Sequence, residues 1–278
     1  MNSWQFFLAL ASVSFGAGIL GALLGLGGGV IIVPALTLLL GVDIRYAIGA
    51  SIVSVIATSC GAAATYVRDH ITNIRIGMFL ELGTTLGALT GAFVAGLVSV
   101  QALYVVFAAV LAYSGYAMFR KRNVDSPVNV HGDALAQRLR LSGSYYDPAS
   151  GQMVHYSATN TLPVLGLSYL AGAISGLLGI GGGPLKVPAM DAGMRLPIKV
   201  SSATSNFMIG VTAAASAAVY FMRGQINPGL AAPVALGVLC GAMVGSRLMI
   251  HARARALRLI FVGLLAVLTV QMLIRGLL

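Results

Sequence analysis

Two stretches of this chain repeat one another 154 residues apart, and they do so in a single unbroken register. Gly25-Leu26-Gly27-Gly28-Gly29 with Val33-Pro34-Ala35 returns as Gly179-Ile180-Gly181-Gly182-Gly183 with Val187-Pro188-Ala189. The same offset pairs Ile44 with Ile198, Ser51 with Ser205, Thr58 with Thr212, Tyr66 with Tyr220 and Asn73 with Asn227. It also pairs Gly83, Gly87 and Gly91 with Gly237, Gly241 and Gly245. A register held over so many positions means that two homologous halves build one fold.

The halves belong in a bilayer. The 278 residues are 58% hydrophobic and 9% charged, with a mean hydropathy of +0.91, whereas a soluble domain carries about a quarter charged residues. The net charge of +10 is held in short loops between apolar runs, where Lys and Arg orient a membrane chain rather than bind nucleic acid. The first twenty-five residues lack the positive start of a secretory signal, so the N-terminus is expected to stay as a membrane helix. Cys60 and Cys240 fall inside apolar runs without metal-ligand spacing and read as small packing residues.

Apolar runs near 5–24, 26–41, 45–67, 76–98 and 101–119, then 161–180, 182–194, 199–221, 229–249 and 256–277, predict an all-α integral membrane protein of about ten transmembrane segments. The expected organisation is a first repeat at 1–119, a linker at 120–160 and a second repeat at 161–278. The second run of each half is short and starts at the triple glycine, so it is either a tilted span or a re-entrant half-helix. With the basic linker (Arg120, Lys121, Arg122, Arg138, Arg140) cytoplasmic and five crossings per half, Arg68, Arg75, Arg195, Lys199, Arg253, Arg255 and Arg258 are also cytoplasmic. Only Arg45, Arg223 and Arg275 are then outside, and the two repeats have inverted topology. Within the linker, Asp147-Pro148-Ala149-Ser150-Gly151 predicts a turn between two short runs of β-formers, a small hairpin resting on the helix ends. His131 and His155 have no second ligand nearby and read as solvated surface.

Three glycines in a row cost a helix about 1 kcal/mol each relative to Ala, and Pro34 and Pro188, five residues on, remove a further backbone donor. Close helix packing explains the glycines at four-residue spacing, but the paired triplets predict two helix breaks. Backbone amides freed by a break inside a bilayer need protein or a polar cavity, and they suit an anion. The expected substrate site is therefore Gly27, Gly28 and Gly29 with Gly181, Gly182 and Gly183, with Pro184 removing one donor from the second loop. Lys186 stands at membrane depth where the first half has Ile32. It is a fixed positive charge for an anionic substrate, or it snorkels to an interface, or it pairs with Asp191. Glu81 and Asp191 are candidates for a coupling proton, Glu81 equally for a solvated interfacial place. Ser51, Ser205, Asn206 and Thr204 lie where donors complete an oxyanion's shell, although such residues also pack membrane helices.

Soluble-enzyme motifs fail. The glycine run lacks the spacing of a dinucleotide loop, and Gly183-Pro184-Leu185-Lys186-Val187 lacks the ending of a P-loop. No catalytic residues, metal site or cofactor is expected, and no ATPase module is present, so transport draws on a gradient or an outside partner.

At these residues the chain resembles the sulfite exporter TauE/SafE family of membrane permeases. The likeness rests on the paired glycine-rich stretches ending in Val-Pro (Gly25 to Pro34, Gly179 to Pro188), the two halves and the polar linker, and it covers essentially the whole chain. It implies carriage of small sulfur-containing anions, such as sulfite, thiosulfate, sulfonates or sulfoacetate, across the bacterial cytoplasmic (inner) membrane, coupled to protons. The long linker departs from the most compact members. The expected function is secondary transport of such an anion by alternating access, with an anion channel or a carrier of a non-sulfur organic anion as competing readings. The expected partners are the small anionic substrate and the lipid bilayer, with room for a homodimer.

Overall fold

The computed structural model describes residues 3–120 and 132–277; Lys121, Arg122 and His131 of the linker lie outside them. The first half contains α1 (Ser3–Leu24), α2 (Gly29–Pro34), α3 (Ile44–Arg68), α4 (Ile74–Ala95) and α5 (Val100–Arg120). The linker holds α6 (Ala134–Arg138), β1 (Ser142–Asp147) and β2 (Gln152–Ser157). The second half holds α7 (Thr161–Leu178), α8 (Gly183–Pro188), α9 (Ile198–Met222), α10 (Pro228–His251) and α11 (Ala254–Leu277). Eight of these helices are long and apolar enough to cross a membrane, so the chain is an all-α multi-pass membrane protein. The two short runs are not full spans. Each is a six-residue α-helix ending at a proline and continuing as a five-residue π-helix, Ala35–Leu39 and Ala189–Gly193. A proline has no amide for the carbonyl one turn back, and the wider π winding follows it.

Local chemistry sets the helix starts. Asp43 accepts from the Arg45 amide before α3, and Asn73 and its repeat counterpart Asn227 accept from the amides of Ile76 and Gly229 before α4 and α10. These side chains satisfy donors that a helix leaves open in its first turn.

The two halves interlock: α1 packs along α10, and α7 along α4. Gly237, Gly241 and Gly245 of α10 stand against the backbone of Ala11, Phe15 and Ile19, while Gly83, Gly87 and Gly91 of α4 stand against Leu165, Tyr169 and Ala173. The two contact sets are the same set moved by one repeat, and both ascend together, so each pair of helices runs parallel. A Cβ at Gly91 would collide with the Ala173 carbonyl, and one at Gly245 with that of Ile19. Small residues here bring backbones together where lipid supplies no hydrophobic drive for helix association.

At the centre α3 packs on α9, and α5 packs on α11. Cys60 and Cys240 face outward and are exposed, correcting their reading as packing residues: each falls on the side of its helix away from the partner. The hairpin forms with Ser142 opposite Ser157 and Asp147 opposite Gln152, and it sits on helix ends. The Lys199 ammonium at the start of α9 donates to Asp147 Oδ1 and to the Ile250 carbonyl at the end of α10, both at 2.7 Å. Asn73 donates to the Tyr156 hydroxyl at 3.2 Å. Asp133 caps two helices at once, accepting from the Ala136 amide of α6 at 2.7 Å and from the Thr161 amide of α7 at 2.8 Å.

Candidate functional site

The glycine-rich segments are breaks, and they meet. The backbone turns left-handed at Gly25, Gly27 and Gly28 (φ 74°, 79° and 64°) and at the matching Gly179, Gly181 and Gly182 (φ 66°, 75° and 74°), a conformation that costs L residues with a Cβ but not glycine. The third glycine of each triplet serves a different need. A Cβ at Gly29 would stand 3.1 Å from the Gly179 carbonyl, and one at Gly183 would strike the Gly25 carbonyl, so these two positions are bare because each loop passes against the other. Val55, near the middle of α3, and Ile209, near the middle of α9, both reach Gly27 and Gly181. That places the crossing halfway along the central helix pair.

Side chains of the central helices hold the loops in place. Ser51 donates to the Gly179 carbonyl at 2.7 Å and Ser205 to the Gly25 carbonyl at 2.7 Å, each reaching across to the other half. Tyr66 donates to Ala22 and Tyr220 to Gly176, both at 2.9 Å, tying down the ends of α1 and α7. Asn206 donates to Ala22 at 2.7 Å, and its own carbonyl accepts from Ser59 at 2.6 Å. Thr204 accepts from the Asn73 amide at 3.1 Å. The hydroxyl protons of Ser51 and Ser205 are thus given to loop carbonyls, where a break would otherwise leave buried acceptors without donors.

The loop amides are used unequally. In the first loop the amides of Leu26 and Gly27 return to the Gly21 carbonyl and that of Gly29 to Gly27. In the second, the amides of Gly181, Gly182 and Gly183 meet no protein acceptor among the described residues; in the first loop the same holds for Gly28. Pro184 does remove a donor from the second loop, yet that loop keeps more free amides than the first.

Lys186, 2% exposed, lies beside the second loop, with its Cε 3.2 Å from where a Cβ of Gly182 would stand. It neither snorkels nor pairs with Asp191. Its ammonium donates to Thr212 Oγ1 at 2.6 Å and lies 3.8 Å from Glu81 Oε2. Thr212 in turn donates to Glu81 Oε1 at 2.7 Å, and Thr85 donates to the same oxygen at 2.9 Å. Glu81 is 6% exposed, so its alternative placement at a solvated interface is corrected: α4 turns this residue onto α9 and α8. Asp191 is bound instead by Arg258, at 2.8 Å and buried, which moves Arg258 from the loop charges to the interior. Sequence reading therefore located the loops, Lys186 and Glu81 but not Thr212 or Arg258. Thr212 carried a signal, since it pairs with Thr58 in the repeat register; Arg258 carried none beyond its charge.

Residues 21–30 and 178–191 are buried without interruption, so the loops and Lys186 are withdrawn from bulk solvent in this conformation.

The family described as sulfite exporter TauE/SafE matches residues 10–272 of the chain. Over 249 residues the chain is 28% identical to the probable membrane transporter protein YunE of Bacillus subtilis, covering 87% of this chain and 86% of that protein. It is 25% identical over 235 residues to the probable membrane transporter protein YdhB of the same organism, covering 84% and 87%. Over 288 residues it is 25% identical to the probable membrane transporter protein MamO of Magnetospirillum gryphiswaldense, covering 96% of this chain and 44% of that one. No solved structure matches.

Proposed function

The chain belongs to the sulfite exporter TauE/SafE family, and on that premise we propose that it is a secondary transporter of a small sulfur-containing anion across the bacterial cytoplasmic membrane, coupled to protons. The observation that carries the reading is the meeting of two helix breaks halfway along α3 and α9, with free amides at Gly181, Gly182 and Gly183 and the Lys186 ammonium beside them. Amides and an ammonium in a low-dielectric interior favour an anion strongly. The family's name supplies sulfite, and the resemblance extends the class to thiosulfate, sulfonate and sulfoacetate. Binding contacts are assigned to Gly28, Gly181, Gly182, Gly183 and Lys186. Ser51, Ser205, Asn206, Gly27 and Gly29, with Pro34 and Pro188, shape the breaks. Glu81 is the better placed of the two carboxylates for a coupling proton, because Arg258 neutralises Asp191.

Alternating access of the two halves about the crossing is part of this reading. The halves exchange equivalent contacts there: α1 runs parallel to α10, the counterpart of α4, and α7 parallel to α4. A site withdrawn from bulk solvent at the crossing favours a carrier over a channel, and the relatives' names point to transport rather than catalysis.

Purified protein in proteoliposomes tests the reading, with sulfite, thiosulfate, sulfoacetate and taurine as probes and a carboxylate as control. Saturable uptake with counterflow is expected for at least one sulfur anion, and near-complete loss in Lys186→Met. Non-saturating flux without counterflow would make the protein a channel, and preference for the carboxylate would remove the sulfur assignment.

A further inference from the structure

Glu81 occupies the position from which an incoming anion would be repelled. Its carboxylate faces the Lys186 ammonium beside the second loop, and it does so through an intermediary: Lys186 donates to Thr212, and Thr212 donates to Glu81 Oε1. Thr85 donates to that same oxygen, while Oε2 accepts no hydrogen bond although it is buried, and lies 3.8 Å from the ammonium. The carboxylate therefore has one oxygen held twice and one oxygen bare. The bare oxygen is where a proton can be added without breaking either threonine bond.

Among the described residues, no other titratable group near Glu81 competes for the role. α7, packed on α4, carries no acidic or basic side chain; its titratable group is the Tyr169 phenol, at 3.3 Å from Thr90. On α9 the other titratable groups are Lys199, held by Asp147, and Tyr220, bound at the end of α7. α5, which packs on α8, has tyrosines but no charged residue before Arg120. The π-helix that follows α8 carries Asp191, which is paired with Arg258.

Resting on the anion-transport reading above, we propose that Glu81 is an internal stand-in for the substrate, displaced from Lys186 each time an anion binds, with Thr212 as the positioning residue that links the two. A second negative charge brought beside one ammonium in a dry interior favours neutralising one of the two. The anion takes the ammonium and the free loop amides, a proton from the same aqueous phase joins Glu81 Oε2, and both leave together on the other side. One proton moves per anion, so the cycle is electroneutral for a monoanion and moves one net negative charge for a dianion. The repeat makes the arrangement single rather than double: Glu81, Lys186 and Thr212 align with Ala235, Ile32 and Thr58, so the other half has the threonine but neither charge.

The test uses full-length protein in proteoliposomes at clamped zero membrane potential, with whichever probe anion gives saturable counterflow and a trapped pH dye. For the wild type, dye acidification accompanies anion uptake at one proton per anion, and with a monoanion such as sulfoacetate held as its mono-ester each pH unit of inward gradient raises accumulation about tenfold. Glu81→Gln is expected to abolish both the dye signal and that accumulation, and to make counterflow, which weakens as pH rises in the wild type, independent of pH. Thr212→Val is expected to slow proton and anion movement together, and Thr212→Ser to restore them. Wild-type anion flux without proton flux, or a Glu81→Gln protein that still accumulates anion against a gradient, overturns the proposal while leaving anion transport standing. No saturable counterflow with any probe anion in the wild type sinks the transport reading itself and this proposal with it.

Discussion

Ser51, about two turns into the first half's central helix, gives its hydroxyl proton to the Gly179 carbonyl of the second half at 2.7 Å. The repeat reproduces the bond in the other direction from Ser205 to Gly25. Two helix breaks are thereby each pinned by the opposite half, and the pinning serines are buried.

Removing either hydroxyl leaves a buried carbonyl short of a donor, at a cost of about 1–3 kcal/mol. Ser51→Ala and Ser205→Ala should each lower the thermal midpoint of the detergent-purified protein, and the double variant should lower it further, with a departure from the sum that measures the coupling of the two loops. A midpoint unchanged in both single variants would show that the hydroxyls do not hold the loops.

The glycine rows give a cleaner contrast. Gly91→Ala and Gly245→Ala place a methyl group onto backbone at Ala173 and Ile19, and overpacking of that kind costs about 1–3 kcal/mol or more. Gly166→Ala, where nothing lies within 4 Å, should be neutral or stabilising by about 0.5–1 kcal/mol. Fluorescence-detected size exclusion after a heating series reads all three.

Asp147→Ala takes the carboxylate from the Lys199 ammonium, whose side chain is 1% exposed. The remaining acceptor is the Ile250 carbonyl, and stranding a buried charge costs up to about 3–5 kcal/mol. The expected result is faster protease cleavage at the hairpin and a lower midpoint, with Lys199→Met in the same chain recovering part of the loss. Cleavage at the wild-type rate would mean the pair does not fasten the hairpin.

Asp133 predicts an acid-sensitive contact outside the bilayer. Burial opposes its charge, but the amides of Thr161 and Ala136 and the Thr161 hydroxyl donate to it and together hold the carboxyl below its ordinary value. A carboxyl lowered on folding contributes fully above its unfolded value of about 3.9 and loses that contribution as pH falls through the lower folded value. Hydrogen exchange at the starts of α6 and α7 should therefore quicken as pH drops below about 4, after correction for intrinsic rates. In Asp133→Asn the corrected rates should be higher at neutral pH and show no such step.

Much of the architecture was readable from the repeat, because helix breaks and starts are local events. The triplets mark where the backbone must turn left-handed, and Pro34 and Pro188 mark where α2 and α8 give way to π winding. Asn73 and Asn227 mark two helix starts. The count of full spans was less legible. Run 26–41 carries no charge and run 182–194 only Lys186 and Asp191, and composition does not separate a span from a broken return. Cys60 and Cys240 were misread for a related reason: an apolar helix in a bilayer has no hydrophobic contrast between the side facing protein and the side facing lipid.

The sequence by itself determined that this chain is a membrane protein of two like halves, each interrupted at the same place, since hydrophobicity, glycine and proline act on the segment that contains them. Tertiary structure alone decided which charges face one another. Asp191 is five residues from Lys186, yet it belongs to Arg258, while Lys186 is joined through Thr212 to Glu81 of the other half. That choice depends on how closely α4, α8 and α9 approach, which is set by the summed packing of bare glycine surfaces across the whole bundle rather than by any one stretch of chain.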